Sequence, residues 1–347
     1  MPLANTLAPK AQIVKGWWRT SARSRASAIG GIVQDRRQRS ADAHSIALAQ
    51  IEAARASRRN LQGIAAMVAA TALFTCGDAA MKFVSTSLPT GETVFVRGVS
   101  TVTIVTVAAF WTGAIYRLKD ALVRAMGWRS VGDVGSALFF QGALGRMPFA
   151  DLMGILQMTP LSLTAASALF LREHVGWRRW TAVVTGFAGA LLVIKPGSSA
   201  FNAWALLGVL SVLCGTLRDV STRRLDVALS PLLIMMLSQL VVASAGLICL
   251  LFEAWKMPSV GELVALVFAS VFSLVGHLCV IYSLRSGEMV AVAPFRYAGI
   301  VWAILLGYLI WHELPDTLSL GGISILVSAG LYTFYREQQL RRRASAV

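Results

Sequence analysis

The sequence predicts an all-α integral membrane protein built from ten transmembrane helices. Three observations lead to this fold class: the composition, the regular spacing of long apolar segments and the one-sided distribution of charge between them. Of the 347 residues, 56% are hydrophobic and 14% are charged, whereas soluble domains carry about 25% charged residues. Together with the mean hydropathy of +0.64, this composition excludes most soluble enzymes and binding proteins.

The first 60 residues differ from the rest of the chain. They hold 11 of the 32 Lys and Arg residues and only three acids, and they lack the apolar core of a secretory signal. Two interpretations stay open: a disordered cytoplasmic tail attracted to anionic lipid head groups, and an organellar transit peptide. A start codon assigned too far upstream would leave the same pattern.

From residue 61 onward, ten apolar segments could each cross a bilayer. Most approach the ~20 residues that are needed to span ~30 Å of hydrocarbon at the rise of an α-helix. Backbone in lipid must satisfy its own hydrogen bonds and long alternating strand patterns are absent, so the segments are predicted to be helices. The predicted spans are 61–82, 93–112, 132–149, 150–171, 178–195, 203–220, 231–252, 262–284, 289–311 and 317–335.

The basic residues between these spans predict the orientation. If the N-terminus is cytoplasmic, 26 of the 32 Lys and Arg residues fall in cytoplasmic segments and four at the opposite boundaries. Because cytoplasmic loops collect Lys and Arg, we expect both termini on the cytoplasmic side, in a membrane such as the bacterial inner membrane. The two remaining basic residues, Arg97 and Arg296, lie within predicted spans.

The ten spans divide into two weakly similar halves. We assign residues 61–196 to a first five-helix repeat, 202–336 to a second, and 337–347 to a basic cytoplasmic tail. Since each half has an odd number of spans, the repeats are inverted, as in many secondary transporters. Asp78, Lys82 and Pro89 in the first half correspond to Asp219, Arg223 and Pro231 in the second. Each half also has a glutamate followed by a glycine-containing helix: Glu173 before the Gly-Phe-Ala-Gly string at 186–189, and Glu313 before Gly321, Gly322 and Gly330.

These features resemble the drug/metabolite transporter superfamily, in its EamA-like family. The resemblance covers residues 61–335 and rests on the ten spans, on Glu173 and Glu313 at the ends of spans four and nine, and on the Gly-Phe-Ala-Gly-Ala-Leu-Leu-Val-Ile-Lys-Pro string at 186–196. Three shorter strings are similar to the subgroup that includes S-adenosylmethionine uptake transporters. They are Ala-Pro-Phe-Arg-Tyr at 293–297, Glu-Leu-Pro-Asp at 313–316 and Trp-Arg-Arg-Trp at 177–180.

One departure weakens the match between spans four and nine. Pro160 precedes Glu173 by 13 residues, but Pro294 precedes Glu313 by 19. The two prolines are therefore not equivalent when the glutamates are aligned.

Arg97 and Arg296 are the first candidates for substrate binding. A charge deep in the bilayer is costly and usually faces a cavity or a partner, and a guanidinium can bind an anionic group such as a carboxylate with two hydrogen bonds. The alternatives are structural ion pairs with Asp78, Glu92 or Asp151, or side chains that reach the interface.

Further candidates for the substrate pathway are aromatic and amide side chains. Tyr297 and Trp302 could stack on a sulfonium, an amine or a flat ring, or pack between helices. Gln141, Gln157 and Gln239 could line the pathway or form hydrogen bonds between helices. By the alignment of the repeats, Gln239 occupies the place of Arg97, so the predicted cavity is electrostatically asymmetric.

Two residues are candidates for proton coupling and two for gating. Asp78 is a carboxylate within a span, although an ion pair with Lys82 four residues later is the alternative. His277 is a candidate proton relay or a hydrogen-bonded packing residue. Glu173 and Glu313 end their helices on opposite sides and are predicted to shape the exits. Because the helix dipole disfavours a carboxylate at a C-terminus, each should have a basic or N–H partner.

The sequence predicts no cofactor, no metal site and no nucleic-acid partner. The cysteines are isolated within spans, and no loop of the Walker type holds ATP. We expect a secondary transporter of a small polar or amphipathic metabolite, such as S-adenosylmethionine or an amino-acid-like compound, working by alternating access. Its partners would be the substrate and membrane lipids, and a homodimer is compatible with the sequence. The alternatives are an exporter of an unrelated substrate, a membrane-embedded enzyme acting on lipid-linked substrates, and a channel.

Overall fold

The computed structural model describes residues 50, 55, 57–113, 124–170, 176–196, 202–222, 225, 230–286 and 289–344. The chain divides into two units, Met1–Arg59 and Asn60–Val347. Almost all described residues belong to the second unit. Most of the predicted N-terminal tail, and Glu173, lie outside the described residues.

Ten helices, α1 to α10, follow one another along the described part of the chain, which contains no strand. Eight of them are long and apolar enough to cross a membrane; in the other two, α3 and α5, arginines near the N-terminus lower the hydropathy. The protein is thus an all-α, multi-pass membrane protein, as predicted. The helices are Ser57–Ser85, Thr90–Trp111, Arg124–Leu144, Phe149–Phe170, Trp177–Ile194, Ala205–Thr222, Pro231–Cys249, Val260–Ser286, Pro294–Trp311 and Thr317–Ala344.

The third helix differs most from its predicted span. It begins at Arg124, eight residues before the predicted start at 132, so Arg129, expected in a loop, lies within it. The shift has a physical reason: ion pairs and hydrogen bonds to α6 satisfy the charges of this first part of α3. Hydropathy alone assigns such a charged turn to a loop.

Helices α4 and α9 are interrupted near their starts. In α4, regular helix ends at Leu156 and resumes at Thr159, because Pro160 has no N–H to donate to the Leu156 carbonyl. The Thr159 hydroxyl donates to that carbonyl instead, at 2.7 Å. Ahead of α9, a one-turn helix, Met289–Val292, leads into a 3-10 turn, Ala293–Tyr297. The break in α4 therefore lies two turns after that helix begins, whereas the irregular part of α9 is its first turn.

The packing of the helices follows the two repeats. Helix α2 packs on α7, α4 on α9 and α5 on α10, each against its own counterpart five places later. The contact of α2 with α8 is matched by that of α7 with α3. The main buried apolar cluster includes Phe149 and Leu152 of α4 and Leu326 of α10. This is the arrangement expected for two inverted repeats around a pseudo-two-fold axis.

Glycines allow the closest of these helix crossings. A Cβ at Gly132 of α3 would lie 2.6 Å from the backbone nitrogen of Arg218 in α6, and one at Gly246 of α7 would lie 2.6 Å from that of Phe95 in α2. No larger residue fits at either position unless the helices separate. Small residues at helix contacts are how membrane helices approach closely.

The bundle has two faces, which we name from α1. The proximal face is where α1 begins, and it also holds the start of α3 and the end of α6. The distal face is where α1 ends, and its turns are 86–89, 145–148, 250–259 and 312–316.

Candidate functional site

A polar cavity of about 490 Å³ extends from the proximal ends of α3 and α6 into the middle of the bundle. Its lining extends along α3 from Arg129 to Phe140 and along α6 from Ser211 to Thr222. Each stretch has twelve residues and rises ~16 Å along the helix axis. Helices of both repeats form its walls, as expected for a transport site between repeats. Its polar lining includes Asp78, Arg97, Arg129, Asp133, Ser136, Thr159, Ser211, Arg218, Asp219, Thr222, Ser238, Gln239, Ser273 and His277.

The cavity brings together four of the predicted residues. Asp78 of α1, Arg97 of α2, Gln239 of α7 and His277 of α8 all line it, and Asp78 and Arg97 lie in the distal halves of their helices, at its inner end. The charges of Asp78 and Arg97 attract each other, but among the described residues the two side chains form no ion pair. The buried Nε of Arg97 has no hydrogen-bond partner there either. A buried guanidinium nitrogen without a partner is a place where a ligand would gain a charge-assisted hydrogen bond.

His277 lies in the cavity wall and is held by its own helix. Its Nδ1 is 2.7 Å from the carbonyl oxygen of Ser273, so Nδ1 carries a proton, because a carbonyl only accepts. The ring also contacts Phe74 edge-on, with ring centres 4.9 Å apart. His277 therefore combines the two roles considered for it, a cavity-lining position and a packed, hydrogen-bonded ring.

Four charged residues that sequence reasoning did not select surround the proximal end of the cavity. We call Arg129, Asp133, Arg218 and Asp219 the Arg–Asp cluster. Asp133 lies 3.4 Å from Arg129 and 3.6 Å from Arg218, and Arg218 donates to Asp219 at 2.8 Å. The Arg129 guanidinium also donates to the Thr222 hydroxyl at 2.6 Å. The cluster joins α3 to α6 across the mouth of the cavity.

The arginines of this cluster were counted as loop charges that report orientation. The signal that could have found the cluster is Asp133, an acid at the second position of a predicted span, beside Gly132. An acid there must face a partner or a cavity, and the glycine allows α6 to approach.

Arg296 does not line the polar cavity. It lies exposed in the 3-10 turn of α9, so the structure does not bring it to Arg97, and its role in substrate binding stays a prediction. Glu92 and Asp151 were also candidate ion-pair partners for the two arginines, but both lie outside the cavity lining. Glu92 accepts the backbone N–H of Lys256 at 3.0 Å, and Asp151 lies beside Ser319.

The remaining predicted residues also lie outside the cavity lining. Gln141 is 2% exposed, and neither end of its amide has a partner among the described residues. Gln157 occupies the break in α4. Tyr297 is buried against Gly330, and both the Tyr297 hydroxyl and the indole nitrogen of Trp302 are buried without a described partner. The roles predicted for these residues, in the substrate pathway or between helices, stay predictions.

Two ion pairs join helices at the distal face. Lys82 does not pair with Asp78: its Nζ lies 2.6 Å from Glu313, 231 residues away. Glu313 also accepts the backbone N–H of Phe149 at 3.0 Å, so it has both kinds of partner expected for a carboxylate at a helix end. A second pair, Lys195 with Asp316, is also 2.6 Å long.

The comparisons with known proteins agree with this architecture. Residues 202–335 match the model of the EamA-like transporter family. The chain is 30% identical over 187 residues to an S-adenosylmethionine uptake transporter of Rickettsia conorii. The aligned region covers 53% of this chain and 62% of that transporter. It is 28% identical to the pseudopaline exporter CntI of Pseudomonas aeruginosa, over 77% of this chain and 94% of the exporter.

Two further comparisons extend the similarity, one in sequence and one in fold. A riboflavin transporter of Vibrio cholerae is 27% identical over 60% of this chain and 70% of its own length. A protein of known crystal structure superposes with a TM-score of 0.53 over 82% of this chain and 99% of its own, at 17% identity. The chain is therefore similar to the EamA-like transporter family over residues 202–335, and it spans 62% of the length of the S-adenosylmethionine uptake transporter of Rickettsia conorii.

Proposed function

We propose that the protein is a secondary transporter that moves a small polar or amphipathic metabolite across the membrane by alternating access. The polar cavity is its substrate site. The observation that carries this proposal is the pair of opposite charges at the inner end of the cavity, where the Arg97 Nε has no partner among the described residues. The 26 basic residues on one side of the predicted topology make the proximal face cytoplasmic, so this conformation faces inward.

The proposed substrate is S-adenosylmethionine or another amino-acid-like compound. Such a molecule carries a carboxylate, for which Arg97 is the partner, and a cationic group, for which Asp78 is the partner. A charge-assisted hydrogen bond contributes about 1.5–3 kcal/mol, which corresponds to roughly 10- to 150-fold in affinity. The relatives that carry S-adenosylmethionine and pseudopaline support this class.

Export is the second candidate function. The pseudopaline exporter aligns over 94% of its length, against 62% for the uptake transporter of Rickettsia conorii. An inward-facing cavity is a stage of the transport cycle in both directions. Counterflow in sealed vesicles, started with substrate on one side and then on the other, distinguishes uptake from export.

The first test is ligand-dependent stabilisation of the purified protein by S-adenosylmethionine, amino acids, nucleosides and riboflavin. We expect one amino-acid-like compound to raise the unfolding temperature, because a ligand at 100 times its Kd adds about 2.7 kcal/mol. Arg97→Lys should weaken that binding by at least about tenfold, since a point charge replaces a planar fork of donors. If no compound binds and proteoliposomes exchange none of them, the proposal is wrong.

The matched control is Arg296→Lys, the same substitution at the other arginine of the predicted spans. We expect it to leave binding unchanged, because Arg296 lies exposed on its 3-10 turn. If Arg296→Lys weakens binding and Arg97→Lys does not, the polar cavity is not the site and the prediction made for Arg296 from the sequence is right.

The role of Asp78 requires a separate measurement. Asp78→Asn should lower affinity at every pH if the carboxylate binds a cationic group. It should instead abolish only transport driven by a pH gradient, with binding retained, if Asp78 carries the coupled proton. Isothermal binding and gradient-driven uptake, measured on the same preparation, separate the two roles.

A further inference from the structure

Lys82 is a buried lysine whose partners all come from outside its own helix. It lies near the distal end of α1 and is only 4% exposed. Its ammonium contacts the Glu313 carboxylate at 2.6 Å and the Met147 carbonyl oxygen at 3.3 Å, and lies 4.7 Å from the centre of the Trp311 ring. A buried ammonium persists only where such partners replace water.

Glu313 connects this lysine to two further helices. The carboxylate oxygen that binds Lys82 also accepts the N–H of Phe149, the first residue of α4, at 3.0 Å. Glu313 itself follows α9, after His312, which has a φ of 56°, a left-handed conformation that side-chain-bearing residues rarely adopt. One carboxylate therefore joins α1 and α4 of the first repeat to the end of α9 in the second.

The position of Lys82 on α1 relates this contact to the polar cavity. Asp78 lines the inner end of the cavity, and Lys82 lies four residues further along the same helix, hence on the same side of α1 and ~6 Å closer to the distal face. A path from Asp78 to the distal side along α1 therefore meets Lys82 and Glu313 first.

We propose that Lys82 is the positioning residue that closes the distal side of the cavity, and that transport requires its separation from Glu313. The proposal rests on the alternating-access function proposed above. While the Lys82–Glu313 pair is formed, α1 and α4 are held against α9, and the cavity is accessible only from the proximal face. When the pair separates, the same site becomes accessible from the distal side.

The same loop provides a matched control pair. Lys195 and Asp316 also lie 2.6 Å apart, but the Asp316 side chain is 53% exposed, and it caps α10 by accepting the N–H of Ser319 at 2.8 Å. This pair joins the end of α5 to the start of α10, away from the path along α1.

The test is the accessibility of a cysteine in the cavity wall. Ser273→Cys, in a full-length protein whose four native cysteines are alanine, is treated from the distal side of oriented vesicles with a membrane-impermeant thiol reagent. We expect Lys82→Met to increase labelling from the distal side at least fivefold, Lys82→Arg to restore most of the original protection, and Lys195→Met to leave labelling unchanged.

A second variant covers the case in which Lys82→Met fails to fold. Glu313→Gln keeps an oxygen that can accept the Phe149 N–H and removes only the charge that binds Lys82, so we expect the same gain in distal labelling. For both variants, the Kd of the substrate should change less than twofold while the turnover of transport falls at least fivefold.

Unchanged distal labelling in both folded variants would overturn the proposal. So would equal effects of Lys82→Met and Lys195→Met, since that result would indicate general loosening of the distal turns. Absence of any substrate would instead contradict the proposed function, because the labelling measurement needs no ligand.

Discussion

The two faces of the bundle use their charged residues in different ways. At the distal face, Glu92 and Glu253 each accept a backbone N–H from another helix or turn, and Glu313 binds both Lys82 and the Phe149 N–H. In the cavity, the Arg–Asp cluster lies at the mouth, and at the inner end the Arg97 Nε has no described partner. At the distal face charged side chains thus link helices and turns, whereas in the cavity one guanidinium nitrogen stays without a described partner.

The largest effect among variants of the described structure is expected from Asp133→Asn. Asp133 is the carboxylate between Arg129 and Arg218, and its loss leaves two guanidinium groups repelling each other in a largely buried site. We expect the free energy of unfolding to fall by about 3 kcal/mol, measured by thermal unfolding in detergent.

The control is Asp219→Asn. Its carboxylate is 31% exposed and, among the described residues, forms an ion pair only with Arg218. Its effect should be less than half as large. Equal effects would mean that the position of Asp133 between two arginines does not matter for stability. The Arg–Asp cluster would then not depend on it to join α3 to α6.

The next effect concerns the helix contact that forms the cavity wall. In Gly132→Ala, the new methyl group would meet the backbone of α6 at 2.6–2.7 Å, so α3 must move away from α6. We expect a loss of about 1–2 kcal/mol in unfolding free energy, together with weaker substrate binding.

Gly127→Ala, on the same helix, is its matched control, because nothing lies within 4 Å of a Cβ there. Alanine has a higher helix propensity than glycine by about 1 kcal/mol, so this variant should be neutral or more stable. If the two alanines behave alike, the α3–α6 contact is looser than the structure indicates.

The smallest effect is expected at the Lys195–Asp316 pair of the distal face, whose carboxylate is 53% exposed. The Lys195 ammonium, together with the Ser319 N–H, lowers the pKa of the Asp316 carboxyl below its usual value. A lowered pKa stabilises the fold above the unfolded value of about 3.9, and this contribution is lost as the pH falls through the folded value. Asp316→Asn keeps a side chain that caps helices equally well and should cost under about 1 kcal/mol.

Unfolding temperatures of the wild type and Asp316→Asn should therefore differ by a constant amount between pH 6 and 8. The difference should shrink as the pH falls below about 3.9 and vanish below the folded pKa of Asp316. A difference that persists at low pH would show that Asp316 acts through packing or capping, and not through its charge.

Hydropathy and charge predicted most of the architecture. Each of the ten predicted spans coincides with a helix, because a bilayer-spanning helix must be apolar over its own length. The exception is the start of α3, which lies before its predicted span. In this first part of the helix, Arg129 and Asp133 form a hydrogen bond and an ion pair with residues of α6. The prediction also selected Asp78, Arg97, Gln239 and His277, since a polar residue in a span is conspicuous in sequence.

Partners were harder to predict than positions. The sequence offered Asp78 as a neighbour for Lys82, four residues away, yet the ammonium binds Glu313, 231 residues further along the chain. Arg97 and Arg296 looked equivalent as arginines within spans, but one lines the cavity and the other lies exposed in the turn that starts α9.

Opposite charges in the sequence therefore did not predict which residues form an ion pair. By itself, the sequence determined the helices, their number and the side on which basic residues collect, because these depend on the composition of each segment and its flanks. Only the tertiary structure decided which side chains meet, because this depends on how each helix is rotated and where glycines let two backbones approach. The same arginine or lysine can face lipid, a cavity or a carboxylate, and the packing of its neighbours selects among them.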